Sequence, residues 1–212
     1  MDIVDPRIET YLRSLQDRRD DPVLLEMEAE GARRHFPIVG RTEGVTLELL
    51  ARSIEARRVF ELGSGFGYSA YWFARAVGEG GEVHCTDGDP TNERAAAGYL
   101  ARAELWGRVR YHVGDAVTAL GETDGSFDVV YCDIDKAGYP DAWRAARDRI
   151  RTGGLYLCDN VLWSGRVPAD GEAPDDVTEA IREHNAAIAA DEAFVASILP
   201  IRDGVMAALR VA

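Results

Sequence analysis

Between Val59 and Asp159 the chain repeats one pattern: a short apolar run, then a segment whose apolar residues recur at helical spacing. Val59–Glu61, Glu82–Asp87, Val109–Val113, Phe127–Asp133 and Leu155–Asp159 read as strands; Tyr68–Val77, Pro90–Leu105, Ala116–Leu120 and Tyr139–Ile150 read as helices. Strands separated by helices join through crossovers, so the expectation is an α/β, doubly wound, mostly parallel sheet with helices on both faces. The ending differs. A helix over Asp175–Ala190 leads to a strand Phe194–Leu199, the turn Arg202-Asp203-Gly204 and a strand Val205–Val211, and so short a turn makes that last pair antiparallel. Asp5 to His35 carries two further helical patterns, a cap or contact segment, and a third helix is expected from Thr42 to Ala56 with Thr42 as N-cap. Asn160–Pro174 is the one long irregular loop.

The first strand runs into Glu61-Leu62-Gly63-Ser64-Gly65-Phe66-Gly67-Tyr68-Ser69. Glycine tolerates positive φ and lets a ligand lie on bare backbone, while the helix that follows offers unpaired N–H groups to an anionic group. A dinucleotide fingerprint has G-x-G-x-x-G, whereas this turn is G-x-G-x-G preceded by Glu61. That carboxylate repels a pyrophosphate but suits an ammonium, so a nucleoside carrying an amino acid fits better than NAD.

A chain of 212 residues with 46% hydrophobic content matches one domain with a sizeable core. No apolar segment follows Met1-Asp2-Ile3-Val4-Asp5-Pro6, and no run approaches the ~18 apolar residues of a membrane span, which points to a cytoplasmic protein without a membrane partner. Cys85, Cys132 and Cys158 lie in interior strands and read as reduced thiols. A net charge of -13 argues against nucleic acid as a partner. Of 24 Lys plus Arg residues, the only lysine is Lys136.

In open α/β sheets the ligand lies beyond the carboxyl ends of the strands, where this chain places Glu61, Asp87, Asp115, Asp133 and Asp159. Asp87, 24 residues past Gly63, suits the two hydroxyls of a ribose. Asp115 either flanks a base or caps the next helix. Asp133 and the pair Asp159-Asn160 end successive strands, and two carboxylates with an amide oxygen make a hard site for Mg²⁺, Mn²⁺ or Ca²⁺ rather than zinc. Lys136, three residues beyond Asp133, is placed either to act as a base beside such an ion or to pair with Asp135. His35, His84, His112 and His184 lack metal spacing and read as structural.

Taken together, Glu61-Leu62-Gly63 with Gly67-Tyr68-Ser69, Asp87, Asp133-Ile134-Asp135-Lys136, Asp159-Asn160-Val161-Leu162 and Asp203-Gly204 resemble the cation-dependent class I O-methyltransferases, the family of catechol and caffeoyl-CoA O-methyltransferases. The resemblance runs from about Val39 to the C-terminus. It implies a single class I methyltransferase domain over residues 1–212, with a seven-stranded sheet in the order 3-2-1-4-5-7-6 and the last strand antiparallel. The implied cofactor is S-adenosylmethionine, with Val39, Glu61, Gly63 and Ser69 around its methionine part, Asp87 on the ribose and Asp115 with Ala116 at the adenine. Asp133, Asp159 and Asn160 are then metal ligands and Lys136 the base; the substrate is a small aromatic vicinal diol and the enzyme a homodimer. Trp163 and Tyr139 flank this site, either to stack on an aromatic substrate or to pack in the core. The residues alone leave two other readings open: a metal-independent small-molecule methyltransferase, and a nucleoside-binding module without catalysis.

Overall fold

A computed structural model describes residues 5–16, 21–169 and 175–212. The start of the chain read above as lacking a leader, and residues 170–174 of the long loop, lie outside the described residues. Helices α1 (Pro6–Gln16), α2 (Pro22–Arg34) and α3 (Gly40–Ser53) precede β1 (Arg58–Leu62), α4 (Tyr68–Val77), β2 (Glu82–Asp87), α5 (Pro90–Arg102) and β3 (Val109–Val113). Then come α6 (Ala116–Glu122), β4 (Phe127–Cys132), α7 (Tyr139–Ala146), β5 (Ile150–Cys158), α8 (Asp176–Ala189), β6 (Phe194–Leu199) and β7 (Val205–Arg210). The seven strands form one sheet in the order β3-β2-β1-β4-β5-β7-β6. β1 to β5 pair in parallel, and β7 runs antiparallel to both β5 and β6. Among the described residues no helix is long and apolar enough to cross a membrane.

Alternation along the strands divides the core in two. Val59 and Val129 face one layer with Leu47, Phe73 and Leu100, while Phe60 and Val130 face the other with Leu120, Trp143 and Ile181. Side chains of period 2 on a sheet buried on both faces require this split. β1 and β4 lie at its centre, so the loops beyond Leu62 and Cys132 are fixed by covered strands rather than by a flexible edge.

Several element ends differ from those expected. Helix α3 starts at Gly40, with Val39 as an N-cap lacking a side-chain bond, because Gly40 at φ 70° turns the chain into the helix before Thr42 is reached. Helix α5 stops at Arg102, where Glu104 at φ 59° lets the Leu105 N–H close on the Leu100 carbonyl at 2.8 Å. Helix α7 stops at Ala146, and residues 147–149 tighten into a 3-10 turn. Strand β5 begins at Ile150, not Leu155: Gly153 at φ 78° is absorbed in a strand whose register with β4 shifts between Phe127 and Val129. Cys85, Cys132 and Cys158 are buried free thiols.

Candidate functional site

A cavity of about 1210 Å³ opens at the carboxyl ends of the parallel strands. That exceeds the ~300–1,000 Å³ typical of a site for one small ligand, so there is room for two. Val39, Gly63, Ser69, Asp87, Asp115, Ala116, Asp133, Lys136, Asp159 and Asn160 all line it.

The glycine turn forms one wall. Gly63, Gly65 and Gly67 have φ of 85°, 49° and 90°, and Gly67 caps the start of α4. Only a residue without Cβ fits at Gly63, since a Cβ there would stand 2.4 Å from the main-chain oxygen of Asp133. The Gly63 N–H donates to Thr86 Oγ1 at 3.0 Å, and the Thr86 hydroxyl donates to the Glu61 carbonyl at 2.8 Å, which pins the turn to β2. Ser69 is buried in the first turn of α4.

Glu61 departs from its expected place. Its side chain is wholly buried beneath the turn and does not itself line the cavity; Oε2 accepts from the Cys85 thiol at 3.3 Å, while Oε1 has no partner within hydrogen-bond distance among the described residues. Burial raises its pKa to about 7 against the opposing pull of Ser69, Ser64 and Cys85. A buried carboxylate oxygen without a donor is the kind of group a ligand cation satisfies.

Asp87 at the end of β2 accepts from the Asp89 N–H at 2.7 Å and from Asn92 Nδ2 at 3.1 Å, both on Oδ1. Oδ2 carries no hydrogen bond among the described residues. Asn92 in turn accepts from Arg34 Nη2 at 3.0 Å, so the end of α2 steadies this carboxylate. Asp115 does two things the sequence left as alternatives: it caps α6, with Oδ1 accepting from the Thr118 N–H at 2.8 Å and its hydroxyl at 2.7 Å, and it lines the cavity beside Ala116. The Thr118 bonds hold its pKa below the usual carboxylate range.

The acid end lies where β4 and β5 stop side by side, with Cys132 paired to Cys158. The Asp133 N–H donates to the Leu62 carbonyl at 2.8 Å and the Asp159 N–H to the Cys132 carbonyl at 3.1 Å, so both acids continue the sheet ladder. Asn160 takes a left-handed φ of 57°, which Asn adopts more readily than most residues, and its N–H donates to Asp159 Oδ1 at 2.6 Å. Burial, then the charge of Asp133, raises the Asp159 pKa to about 7.

Lys136 pairs with Asp133 Oδ1 at 2.9 Å, not with Asp135, and also donates to the Ile134 carbonyl at 3.3 Å. Burial pulls its pKa down, but Asp133 and then Asp159 outweigh burial and hold the ammonium above its usual range.

Tyr139 does not face a substrate. It is wholly buried and donates its hydroxyl to the Asp159 carbonyl at 2.8 Å. Trp163 packs with Arg166 outside the cavity lining. Three further residues, assigned no role from the sequence, belong to the site. Phe36 lines the cavity over Gly65, where a Cβ would stand 2.8 Å from its ring. Glu43 of α3 is fully buried near the acids, 3.4 Å from the Tyr131 hydroxyl, and burial followed by Asp159 and Asp133 raises its pKa well above the usual value. Arg202 lines the cavity from the turn before β7.

A sheet in this order with a cavity at its strand ends is the Rossmann-like architecture of class I methyltransferases, and comparisons with known proteins agree. A family model described as O-methyltransferase matches residues 14–211. The catechol O-methyltransferase of Niastella koreensis is 31% identical over 198 residues, spanning 91% of this chain and 89% of that one. Among solved structures, the O-methyltransferase from Bacillus cereus in complex with SAH superposes with a TM-score of 0.85 at 28% identity, covering 95% of this chain and 97% of its own. TomG from Streptomyces achromogenes, involved in tomaymycin synthesis and solved in complex with SAM, gives 0.83 at 28% identity, with 91% of each chain covered. The chain belongs to the O-methyltransferase family.

Proposed function

We propose that this protein transfers the methyl group of S-adenosylmethionine to one hydroxyl of a small aromatic vicinal diol, assisted by a divalent cation. What carries the reading is that one cavity joins the glycine turn and Asp87 to Asp133, Lys136, Asp159 and Asn160. The SAM- and SAH-bound relatives and the catechol enzyme of Niastella support its two halves separately.

The donor fits the residues present. Val39, Gly63 and Ser69 line the cavity where its methionine part would lie, with the carboxylate of Glu61 buried beneath the turn. Asp87 Oδ2 is available to the ribose hydroxyls, and Asp115 and Ala116 flank the adenine. When bound, S-adenosylmethionine supplies a methyl carbon on a sulfonium that leaves as a thioether.

The cation fits by the chemistry of its donor set: two carboxylates and an amide oxygen on adjacent rigid strand ends. Among the described residues no group of three or more His, Cys, Asp or Glu side chains could hold a metal ion, and the proposed set takes Asn160 as its third member. A divalent cation held there would supply a Lewis acid that eases deprotonation of a neighbouring hydroxyl. Lys136 is the base for that proton. The lysine lies against Asp133, and burial opposes its charged form while Asp133 and Asp159 favour it, so any loss of those carboxylates' support to a bound ion would shift it towards the neutral amine. The remaining contribution is positioning, since Gly63 packs on Asp133 and so fixes donor wall and acid end relative to each other.

Residues 1–212 are read as one catalytic domain in a cytoplasmic homodimer, with the exposed row Ile8, Tyr11 and Leu15 of α1 supporting a contact role for the first helices. Mass measurement by light scattering tests that state. Methyl transfer to a panel of vicinal diphenols, with and without Mg²⁺, tests the activity.

A further inference from the structure

Three cations line the cavity. Lys136 is paired with Asp133, and Arg144 reaches Asp141 and Glu183. Arg202 forms no hydrogen bond, and no ion pair within 4.0 Å, among the described residues.

Its position is nevertheless determined. Arg202 has a left-handed φ of 50°, which disfavours any residue with a Cβ, and its guanidinium rests on the bare Cα of Gly40, where a Cβ would stand 1.9 Å from Nη1. A strained turn thus holds an exposed guanidinium in the wall of the site, in space that a glycine on another element leaves open. Its positive charge is felt by Asp159 and Glu43, at the acid end.

We infer that Arg202 determines acceptor specificity by receiving a carboxylate, so that the preferred substrates are dihydroxylated aromatic acids rather than neutral diphenols. This rests on the proposed function and adds the chemistry of the acceptor's far end. The rival occupant is the donor's own carboxylate, because Gly40 follows Val39. The reach of Arg202's charge to Asp159 and Glu43 favours the acceptor. A fixed, uncommitted guanidinium offers two parallel N–H donors that match a carboxylate. The wider field opposes such a ligand, since the chain carries a net charge of -13, so any preference for an anion must come from a local cation.

The test compares 3,4-dihydroxybenzoate and 3,4-dihydroxycinnamate with their uncharged methyl esters in wild type, Arg202→Gln, Arg202→Lys and Arg202→Gly, the last suited to the left-handed turn. Wild type should favour each acid over its ester by about ten- to a hundredfold in kcat/KM, the range of a charge-assisted hydrogen bond. Arg202→Gln and Arg202→Gly should bring that ratio close to one, and Arg202→Lys should keep part of it. The same acid-to-ester ratio in wild type and both neutral variants overturns the assignment. So does a loss of SAH affinity by calorimetry with the ratio unchanged, which moves Arg202 to the donor. Absence of transfer to all four compounds by wild type removes the proposed function itself, and the inference with it.

Discussion

Gly63 and Asp133 touch through their main chains: any Cβ at Gly63 would lie 2.4 Å from the Asp133 carbonyl oxygen. The donor turn and the acid end therefore pack directly on one another, and Gly63 sits at φ 85°. Gly63→Ala should destabilise the fold by ~2–4 kcal/mol, combining the penalty of a left-handed alanine with overpacking against backbone. Urea denaturation measures this, and a stability within ~0.5 kcal/mol of wild type would mean that the turn relaxes freely.

Asp87 offers Oδ2 at the end of β2 while Asn92 and the Asp89 N–H hold Oδ1. Asp87→Ala should weaken SAH binding by ~1.5–3 kcal/mol, the range for hydrogen bonds to a charged group. Calorimetry on the folded variant is the check, and unchanged affinity would detach Asp87 from the ribose.

Lys136→Met should lower kcat by ~10²–10⁴ with little change in SAH affinity, as expected when a general base is removed. Lys136→Arg is sharper, since guanidinium keeps the charge facing Asp133 and cannot give up its proton. Rates across a pH series decide: wild-type kcat in the arginine variant would leave Lys136 an electrostatic role only.

His184 is buried between β5 and α8, with Nε2 3.1 Å from the Tyr156 hydroxyl, and burial lowers its pKa from 6.5 to about 4. The unfolded chain then binds the extra proton first as pH falls. Stability from the neutral ring is full above about 6.5 and is lost progressively towards pH 4, by roughly 3 kcal/mol in all. Chemical denaturation between pH 7 and 4 should show a shallower decline for His184→Gln than for wild type. Parallel curves would contradict this.

Much of this architecture is legible in the sequence because strand and helix periods alternate so regularly. Each strand's end can be counted, and the residue at or just past it stands at the sheet's carboxyl edge. Asp87, Asp133 and Asp159 are placed that way, and Phe194–Leu199 with Val205 onward is read as antiparallel from the turn alone. What stays illegible depends on contacts between distant segments. Glu43 looks like one polar residue on an amphipathic helix, yet the fold buries it completely beside the acids. Arg202 reads as part of a reverse turn, because nothing local shows that its side chain reaches Gly40. Tyr139 looks available to stack on a substrate until α7 packs it under Asp159. Glu61 lies in the right turn, but only the packing shows it facing Cys85 below rather than the cavity.

Cation-dependent methyl transfer is tested most directly by following methyl transfer from labelled S-adenosylmethionine to 3,4-dihydroxybenzoate with protein stripped by EDTA, and then with Mg²⁺ or Mn²⁺ restored. The proposed roles of Asp133, Asp159 and Asn160 predict that transfer is abolished by stripping and recovered with the ion. Undiminished transfer by the thoroughly stripped protein would contradict them and leave a metal-independent methyltransferase.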